Sequence, residues 1–163
     1  MRSVYLDTNI LIQLFEGAGE LHDALWALIG KSSSANGPRF QTSALSFAEV
    51  LVKPYRENNT ELVNLYQALS HSNDWLSVVY VAPSVIDRAA MIRASVGKIK
   101  LPDAIHLATA SVLRSSHFMT QDMGISNLPS LANPFTGEAL LPSIEIVRLD
   151  IASLHALSEA LSQ

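Results

Sequence analysis

Four acidic residues lie at the edge of, or inside, segments whose composition is otherwise typical of a protein core: Asp7, Glu49, Asp103 and Asp122. A charged group is costly to bury unless it is paired with an opposite charge or binds a metal ion. If the four carboxylates converge in the fold, they form an all-oxygen site of the kind that Mg²⁺ and Mn²⁺ prefer. Such a site indicates metal-assisted cleavage of a phosphodiester bond.

The chemistry of a carboxylate cluster favours a divalent cation. Neighbouring carboxylates raise one another's pKa, so in the metal-free protein we expect the four acids to repel each other. A divalent cation removes that cost and becomes the largest local charge. It can activate a water molecule, polarise a phosphoryl oxygen and stabilise the leaving alkoxide. Cleavage of this kind needs no Ser, His or Cys nucleophile, and the sequence contains no convincing catalytic triad.

Each acid also has a simpler interpretation when it is considered alone. Asp7 could cap the helix that follows it. Glu49 could be an exposed helical residue. Asp103, after a proline, suits a helix start that is stabilised by the helix dipole. Asp122 could belong to a turn. These alternatives stay open for the individual residues, and it is the joint pattern that favours a site.

Three polar residues near Asp103 each have two interpretations. His106 lies one helical turn after Asp103 and could face the site, but we expect it to serve packing or structure because a Mg²⁺-type site needs no imidazole. Lys98 and Lys100 either contact phosphate beside Asp103 or form an ordinary solvated surface.

The composition indicates a folded domain without disulfide bonds. The chain has 163 residues, of which 48% are hydrophobic and 16% are charged, and these values are typical of a single globular domain. It has no cysteine, which excludes thiolate ligands and a Cys nucleophile. No signal peptide or membrane span is visible, so we expect a cytoplasmic protein. A net charge of −4 argues against general electrostatic binding of nucleic acid, but not against an enzyme whose acids are neutralised by cations.

The hydrophobic pattern alternates between short strands and helices. Strands are predicted at residues 3–6, 39–42, 77–81, 117–121 and 143–149. Helices are predicted at residues 8–15, 20–30, 44–56, 61–71, 83–96, 103–114 and 151–161. Ser43 and Thr60 are the predicted N-caps of the third and fourth helices. Residues 31–38 and 124–142 are predicted loops.

This alternation predicts an α/β fold with a parallel sheet that is covered on both faces. Open sheets of this class bind ligands beyond the carboxyl ends of their strands. Asp7 and Asp122 follow predicted strands, and Asp103 stands at a predicted helix N-terminus. Three of the four acids are therefore expected near the edge where a site is favoured.

Four ordered motifs resemble the signature of PIN-domain ribonucleases. They are Asp7-Thr8-Asn9, Ser46-x-x-Glu49, the segment Leu101-Pro102-Asp103-Ala104-Ile105-His106-Leu107-Ala108-Thr109-Ala110, and Thr120-x-Asp122. The length and motif order are similar to those of the VapC-type toxins of bacterial toxin–antitoxin pairs. The resemblance extends from residue 3 to about residue 124. The chain differs from the commonest toxin pattern in its long segment after Asp122 and in its few basic residues.

The resemblance implies a three-layer α/β/α PIN-like fold over residues 1–163, with a central parallel sheet. It implies an endoribonuclease whose four acids hold one or two Mg²⁺ or Mn²⁺ ions. Asn9 and Thr120 match positions that support the acids through hydrogen bonds. The expected partners are an RNA substrate, a cognate antitoxin and a second copy of the chain in a homodimer. The apolar faces of residues 8–15 and 44–56 could form that dimer, or could equally be intramolecular core.

Two other functions share features with this sequence. An aspartyl-phosphate phosphohydrolase also places Asp after its first strand, but it needs a second acid two residues later, where this chain has Asn9. A catalytically inactive PIN scaffold that binds RNA or protein is the remaining alternative. Such a scaffold would be expected to have lost an acid, and all four are present here.

Overall fold

A five-stranded parallel sheet forms the centre of the computed structural model, which describes residues 2–32, 37–126, 130–141 and 144–162. The strands are β1 (Val4–Leu6), β2 (Phe40–Ser43), β3 (Leu76–Val79), β4 (His117–Thr120) and β5 (Glu145–Arg148). Their order across the sheet is β3-β2-β1-β4-β5, and every neighbouring pair is parallel. The predicted parallel α/β fold is therefore confirmed.

The helices connect successive strands, close to their predicted positions. They are α1 (Thr8–Glu16), α2 (Glu20–Lys31), α3 (Ala44–Val50), α4 (Val52–Arg56), α5 (Thr60–Leu69), α6 (Pro83–Ser95), α7 (Leu101–Val112), α8 (Met123–Ser126) and α9 (Ile151–Ser162). Part of the predicted loop 31–38 lies outside the described residues, as does the start of the predicted strand 143–149. No helix in the described part of the chain is long and apolar enough to cross a bilayer.

Local chemistry explains where several helices begin and end. The side chain of Ser43 accepts a hydrogen bond from the backbone N–H of Leu45, as predicted for an N-cap. The predicted cap at Thr60 is wrong: the side chain of Asn59 accepts from the N–H of Leu62, and Thr60 is already helical. Amide side chains are as effective as hydroxyls at this position.

The single helix predicted for residues 44–56 is also wrong. The structure divides it into α3 and α4 at Leu51. Pro54 lies within α4, has no N–H to donate and would clash with the carbonyl of Val50 in a continuous helix. The helix therefore breaks because of a proline, which the apolar periodicity alone does not take into account.

Alternate residues of β1 face two separate hydrophobic clusters. Val4 and Leu6 pack with residues of α1, α2, α3 and α9, whereas Tyr5 packs with residues of α6 and α7. The sheet is thus covered by helices on both faces, which confirms the three-layer arrangement. The apolar face of α1 contributes Ile10 and Leu14 to the first cluster, so this face is intramolecular core.

The strand order reverses at β1. The chain moves outward from β1 to β2 and β3, then returns to place β4 on the other side of β1. This reversal lies between β1 and β4, and α/β sheets bind ligands beyond the strand ends at such a point. The residues that directly follow β1 and β4 therefore occupy the favoured position for a site.

The long segment after Asp122 packs against the helices of one layer. It begins with the short helix α8, which the sequence did not predict, and residues 127–129 and 142–143 lie outside the described residues. Ala132 and Ala139 form an antiparallel bridge. The carbonyl oxygen of Leu140 accepts hydrogen bonds from Arg88 of α6 and Ser111 of α7.

Candidate active site

Asp7 is a buried carboxylate directly after β1, with a relative exposure of 5%. It caps α1, since Oδ1 accepts a hydrogen bond of 2.8 Å from the backbone N–H of Thr8. Oδ2 accepts from the side chains of Asn9 at 2.8 Å and Thr120 at 2.6 Å. Asp7 thus caps α1, as its simpler interpretation expects, and three donors fix the orientation of this carboxylate.

Thr120 links Asp7 to the loop that carries Asp122. Its hydroxyl is fully buried and accepts hydrogen bonds from the backbone N–H of Asp122 at 2.9 Å and from Asn9 at 3.3 Å. Oδ1 of Asp122 in turn accepts from the N–H of Gly124 at 2.7 Å. A Cβ atom at position 124 would lie 3.1 Å from that oxygen, so glycine allows this close approach.

Asp103 lies in the first turn of α7 and interacts electrostatically with the other two aspartates. Partial burial and the negative charges of Asp122 and Asp7 raise the pKa of Asp103 above its ordinary value, although Lys100 acts in the opposite direction. The predicted repulsion is therefore seen at Asp103, where it acts together with burial. The effect of Lys100 also places that cation within electrostatic reach of Asp103.

Glu49 has a different environment. Its Oε2 atom accepts hydrogen bonds from Thr8 Oγ1 and from His106 Nε2, the latter at 2.8 Å. Desolvation tends to raise the pKa of Glu49, but these two hydrogen bonds outweigh it and the pKa is lowered. Glu49 is therefore a stabilised carboxylate beside the aspartates, joined to them through the Asp7–Thr8 backbone, and not a fourth member of the repelling group.

His106 is buried, as expected for a packing residue, and it also contacts Glu49. It is 1% exposed, and Nδ1 lies 2.8 Å from the hydroxyl of Tyr5, which is fully buried. One signal was available in the sequence: a polar residue three positions after Asp103, in an otherwise apolar helix, shares its face. No local signal indicated Tyr5, because a tyrosine in a buried strand is typical of core.

The carboxylates are not already arranged as a metal site. Among the residues that the structure describes, no group of three or more His, Cys, Asp or Glu side chains is placed to hold a metal ion. Asp7 and Asp122 nevertheless act electrostatically on Asp103, and Glu49 is linked to Asp7 through Thr8. These residues form an acidic cluster at the carboxyl edge of the sheet. That the cluster binds a metal ion stays a prediction.

Comparison with known families gives one match over most of the chain. The family model described as PIN domain matches residues 4–131, which include all four predicted acids. No curated protein matches the chain.

Several solved structures share the fold at low sequence identity. A toxin–antitoxin complex from Klebsiella pneumoniae is 24% identical, with 87% of this chain and 95% of that chain covered and a TM-score of 0.55. VapBC2 from Rickettsia felis, bound to a DNA fragment from its promoter, is 12% identical, with coverages of 90% and 98% and a TM-score of 0.61. Mycobacterium tuberculosis VapC20, a toxin that cleaves the sarcin-ricin loop, is 16% identical, with coverages of 78% and 97% and a TM-score of 0.59.

Proposed function

The chain belongs to the PIN domain family, and on that basis we propose that it is a divalent-metal-dependent endoribonuclease, the toxin of a toxin–antitoxin pair. One observation carries the proposal. Asp7, Asp103 and Asp122 come from three separate segments, yet burial and the charges of Asp122 and Asp7 together raise the pKa of Asp103. Carboxylates that interact in this way are destabilising in the metal-free protein, which favours a site that a cation completes.

The donor set suits Mg²⁺ or Mn²⁺. Its atoms are carboxylate oxygens, with no thiolate in the chain, and hard divalent cations prefer such ligands. Asp7, Glu49, Asp103 and Asp122 would hold one or two ions. Since the described side chains do not form a ready-made group, rotation of carboxylates toward a common centre is part of the proposal.

The protein's own residues would orient and polarise the site. When bound, the cation supplies an activated water molecule and neutralises charge on the phosphate. Thr8, Asn9 and Thr120 hold the carboxylate of Asp7 in one orientation through hydrogen bonds. Lys100, whose charge reaches Asp103, would attract the phosphate backbone of the RNA.

The proposed biological role includes protein partners. Two of the similar structures are described as a toxin–antitoxin complex and as VapBC2 bound to promoter DNA, which supports an antitoxin partner for this chain. A homodimer formed by a second copy of the chain completes the proposed assembly. Exposed apolar side chains on α1 and α4, Ile12, Val52 and Tyr55, are available for such contacts.

An inactive PIN scaffold is the second candidate, and one observation favours it. The carboxylates of the described residues are not arranged as a metal-binding group. A protein that only binds RNA or another protein would not need that arrangement. The two functions differ in a simple assay. If the protein is a nuclease, it should cleave RNA in the presence of Mn²⁺, and a chelator should stop the cleavage. A scaffold would leave the RNA intact with Mn²⁺ and with the chelator.

Matched variants connect that activity to the acids. Asp7→Asn should abolish Mn²⁺-dependent cleavage because it keeps the size of the side chain and removes one charged ligand. Asp74→Asn, at an exposed position outside the cluster, makes the same change in net charge and should leave cleavage intact. Near wild-type turnover by Asp7→Asn would contradict the proposed site.

A further inference from the structure

A buried Tyr5–His106 pair contacts Glu49 at the edge of the acidic cluster. The hydroxyl of Tyr5 lies 2.8 Å from His106 Nδ1, and His106 Nε2 lies 2.8 Å from Glu49 Oε2. Tyr5 and His106 are 0% and 1% exposed, whereas the side chain of Glu49 is 32% exposed. A continuous line of hydrogen bonds thus leads from the interior of the sheet to a carboxylate that solvent can reach.

The positions of the protons follow from the partners. A carboxylate can only accept, so His106 Nε2 must carry the proton that it shares with Glu49. The hydroxyl of Tyr5 lies within hydrogen-bond distance of Nδ1 and can donate its proton to that nitrogen. Each hydrogen bond then has one donor, with His106 Nε2 donating to Glu49 and the phenol of Tyr5 donating to Nδ1.

These contacts join the two helical layers. His106 lies on α7, whose apolar residues pack on one face of the sheet, and Glu49 lies on α3, whose apolar residues pack on the other. Thr8 also donates to Oε2 of Glu49, so both donors meet the same oxygen. Among the hydrogen bonds of the described residues, Oε1 accepts none, so this oxygen is available to a cation.

We propose that His106, oriented by Tyr5, is a positioning residue that holds Glu49 by Oε2 and presents Oε1 to a divalent cation. The inference rests on the proposed function, since it assigns a role within that site. His106 itself is too deeply buried to contact RNA, so it acts through Glu49. Polar groups that hydrogen-bond a metal-ligating side chain typically change metal affinity by about 10–100-fold when they are removed.

The proton position can be measured without metal or RNA. Nitrogen NMR of the full chain, labelled at histidine, should show His106 with a protonated Nε2 and an acceptor Nδ1. Tyr5→Phe removes the donor to Nδ1 and should change the Nδ1 resonance. An unprotonated Nε2 in the wild-type protein would overturn the inference whether or not the protein is a nuclease.

Binding of Mn²⁺, measured by calorimetry, tests the consequence with two matched variants. His106→Gln places an amide N–H near the position of Nε2, whereas His106→Asn is shorter and cannot reach Glu49. We expect His106→Asn to weaken Mn²⁺ binding by roughly tenfold or more, and His106→Gln to retain most of it. In a Glu49→Gln background, His106→Asn should cause little additional loss, because His106 acts through that carboxylate.

The outcomes separate this inference from the proposed function. If the wild-type chain does not bind Mn²⁺, the proposed function fails and the role of His106 fails with it. If the wild-type chain binds and His106→Asn binds equally well, only the inference is overturned. Equal weakening by His106→Gln and His106→Asn would also overturn it, because the imidazole would then matter for packing and not as a donor.

Discussion

Thr120 and Asp7 are joined by a hydrogen bond of 2.6 Å although 113 residues separate them in the chain. The parallel register of β1 and β4, which pairs Leu6 with Met119, brings the next residue of each strand to the same level at the carboxyl edge of the sheet. The sheet itself therefore places a hydroxyl donor beside the buried carboxylate, and the same hydroxyl accepts from the backbone of Asp122.

Removing this hydroxyl should destabilise the protein. Thr120→Val keeps the shape of the side chain, but leaves Asp7 with one donor fewer and the N–H of Asp122 without its acceptor. Loss of a buried hydrogen-bond partner costs about 1–3 kcal/mol, which should appear in urea unfolding curves. Thr120→Ser keeps the hydroxyl and should lose less. Equal stability of the valine variant and the wild-type protein would mean that these bonds contribute nothing.

Neutralising Asp103 should stabilise the metal-free protein at pH 7. The pKa of Asp103 is raised above its ordinary value of 3.8, so the folded state holds the proton more tightly than the unfolded state. The stability that this group contributes is present below its unfolded pKa and is lost as the pH rises through its folded pKa. Asp103→Asn avoids that loss, and its melting temperature should exceed that of the wild-type protein.

The pH dependence provides the control for this prediction. As the pH falls below the folded pKa of Asp103, both proteins carry a neutral side chain at this position and their melting temperatures should converge. Asp74→Asn, an exposed variant with the same change in net charge, should show no comparable gain at pH 7. A lower melting temperature for Asp103→Asn at neutral pH would contradict the electrostatic description of the cluster.

Neutralising Glu49 should have the opposite effect. Its pKa lies below the ordinary value of 4.5 because His106 and Thr8 stabilise the charged form against desolvation. The resulting stability is present above the unfolded pKa and is lost as the pH falls through the folded pKa. Glu49→Gln should therefore melt below the wild-type protein at pH 7, with a difference that narrows in acid. If Glu49→Gln melted above the wild-type protein, Glu49 would be a destabilising charge like Asp103, and this description of Glu49 would be wrong.

Expression in bacterial cells tests the proposed toxin role. The wild-type chain expressed alone should arrest growth, and Asp122→Asn should relieve the arrest because the acidic cluster loses one ligand. Comparable amounts of folded protein must be present in both cultures, which immunoblotting of the soluble fraction can establish. Normal growth with a wild-type protein that cleaves RNA in vitro would indicate a nuclease with another cellular role.

The fold followed from short-range patterns in the sequence. Buried runs such as residues 4–6, with polar residues at their ends, predicted the strands, and the alternation with helices predicted the parallel sheet. The errors arose where one residue overrode a pattern. The apolar spacing predicted one helix where Pro54 causes a break into two. Thr60 was the expected N-cap of the next helix, but Asn59 is the residue that caps it.

The acids could be found from the sequence, but their different environments could not. In the sequence, all four acids are single charges beside apolar segments, and this pattern predicted four carboxylates that repel one another. The structure separates Glu49 from the aspartates because His106 contacts it across the sheet edge from another helix. Such a contact depends on how two helices pack, and no spacing within either helix encodes it.

The central claim, that the acidic cluster is a divalent-cation site, is tested most directly by the melting temperature of the chelated and dialysed protein during a Mn²⁺ titration. A ligand that binds only the folded state stabilises it by about 2.7 kcal/mol at a free concentration of a hundred times its dissociation constant. For a chain of this size, that corresponds to a rise of roughly 5–10 °C. The proposal predicts this rise for the wild-type protein and a much smaller one for Asp103→Asn. A melting temperature unchanged by millimolar Mn²⁺ would contradict the metal site and favour the inactive scaffold.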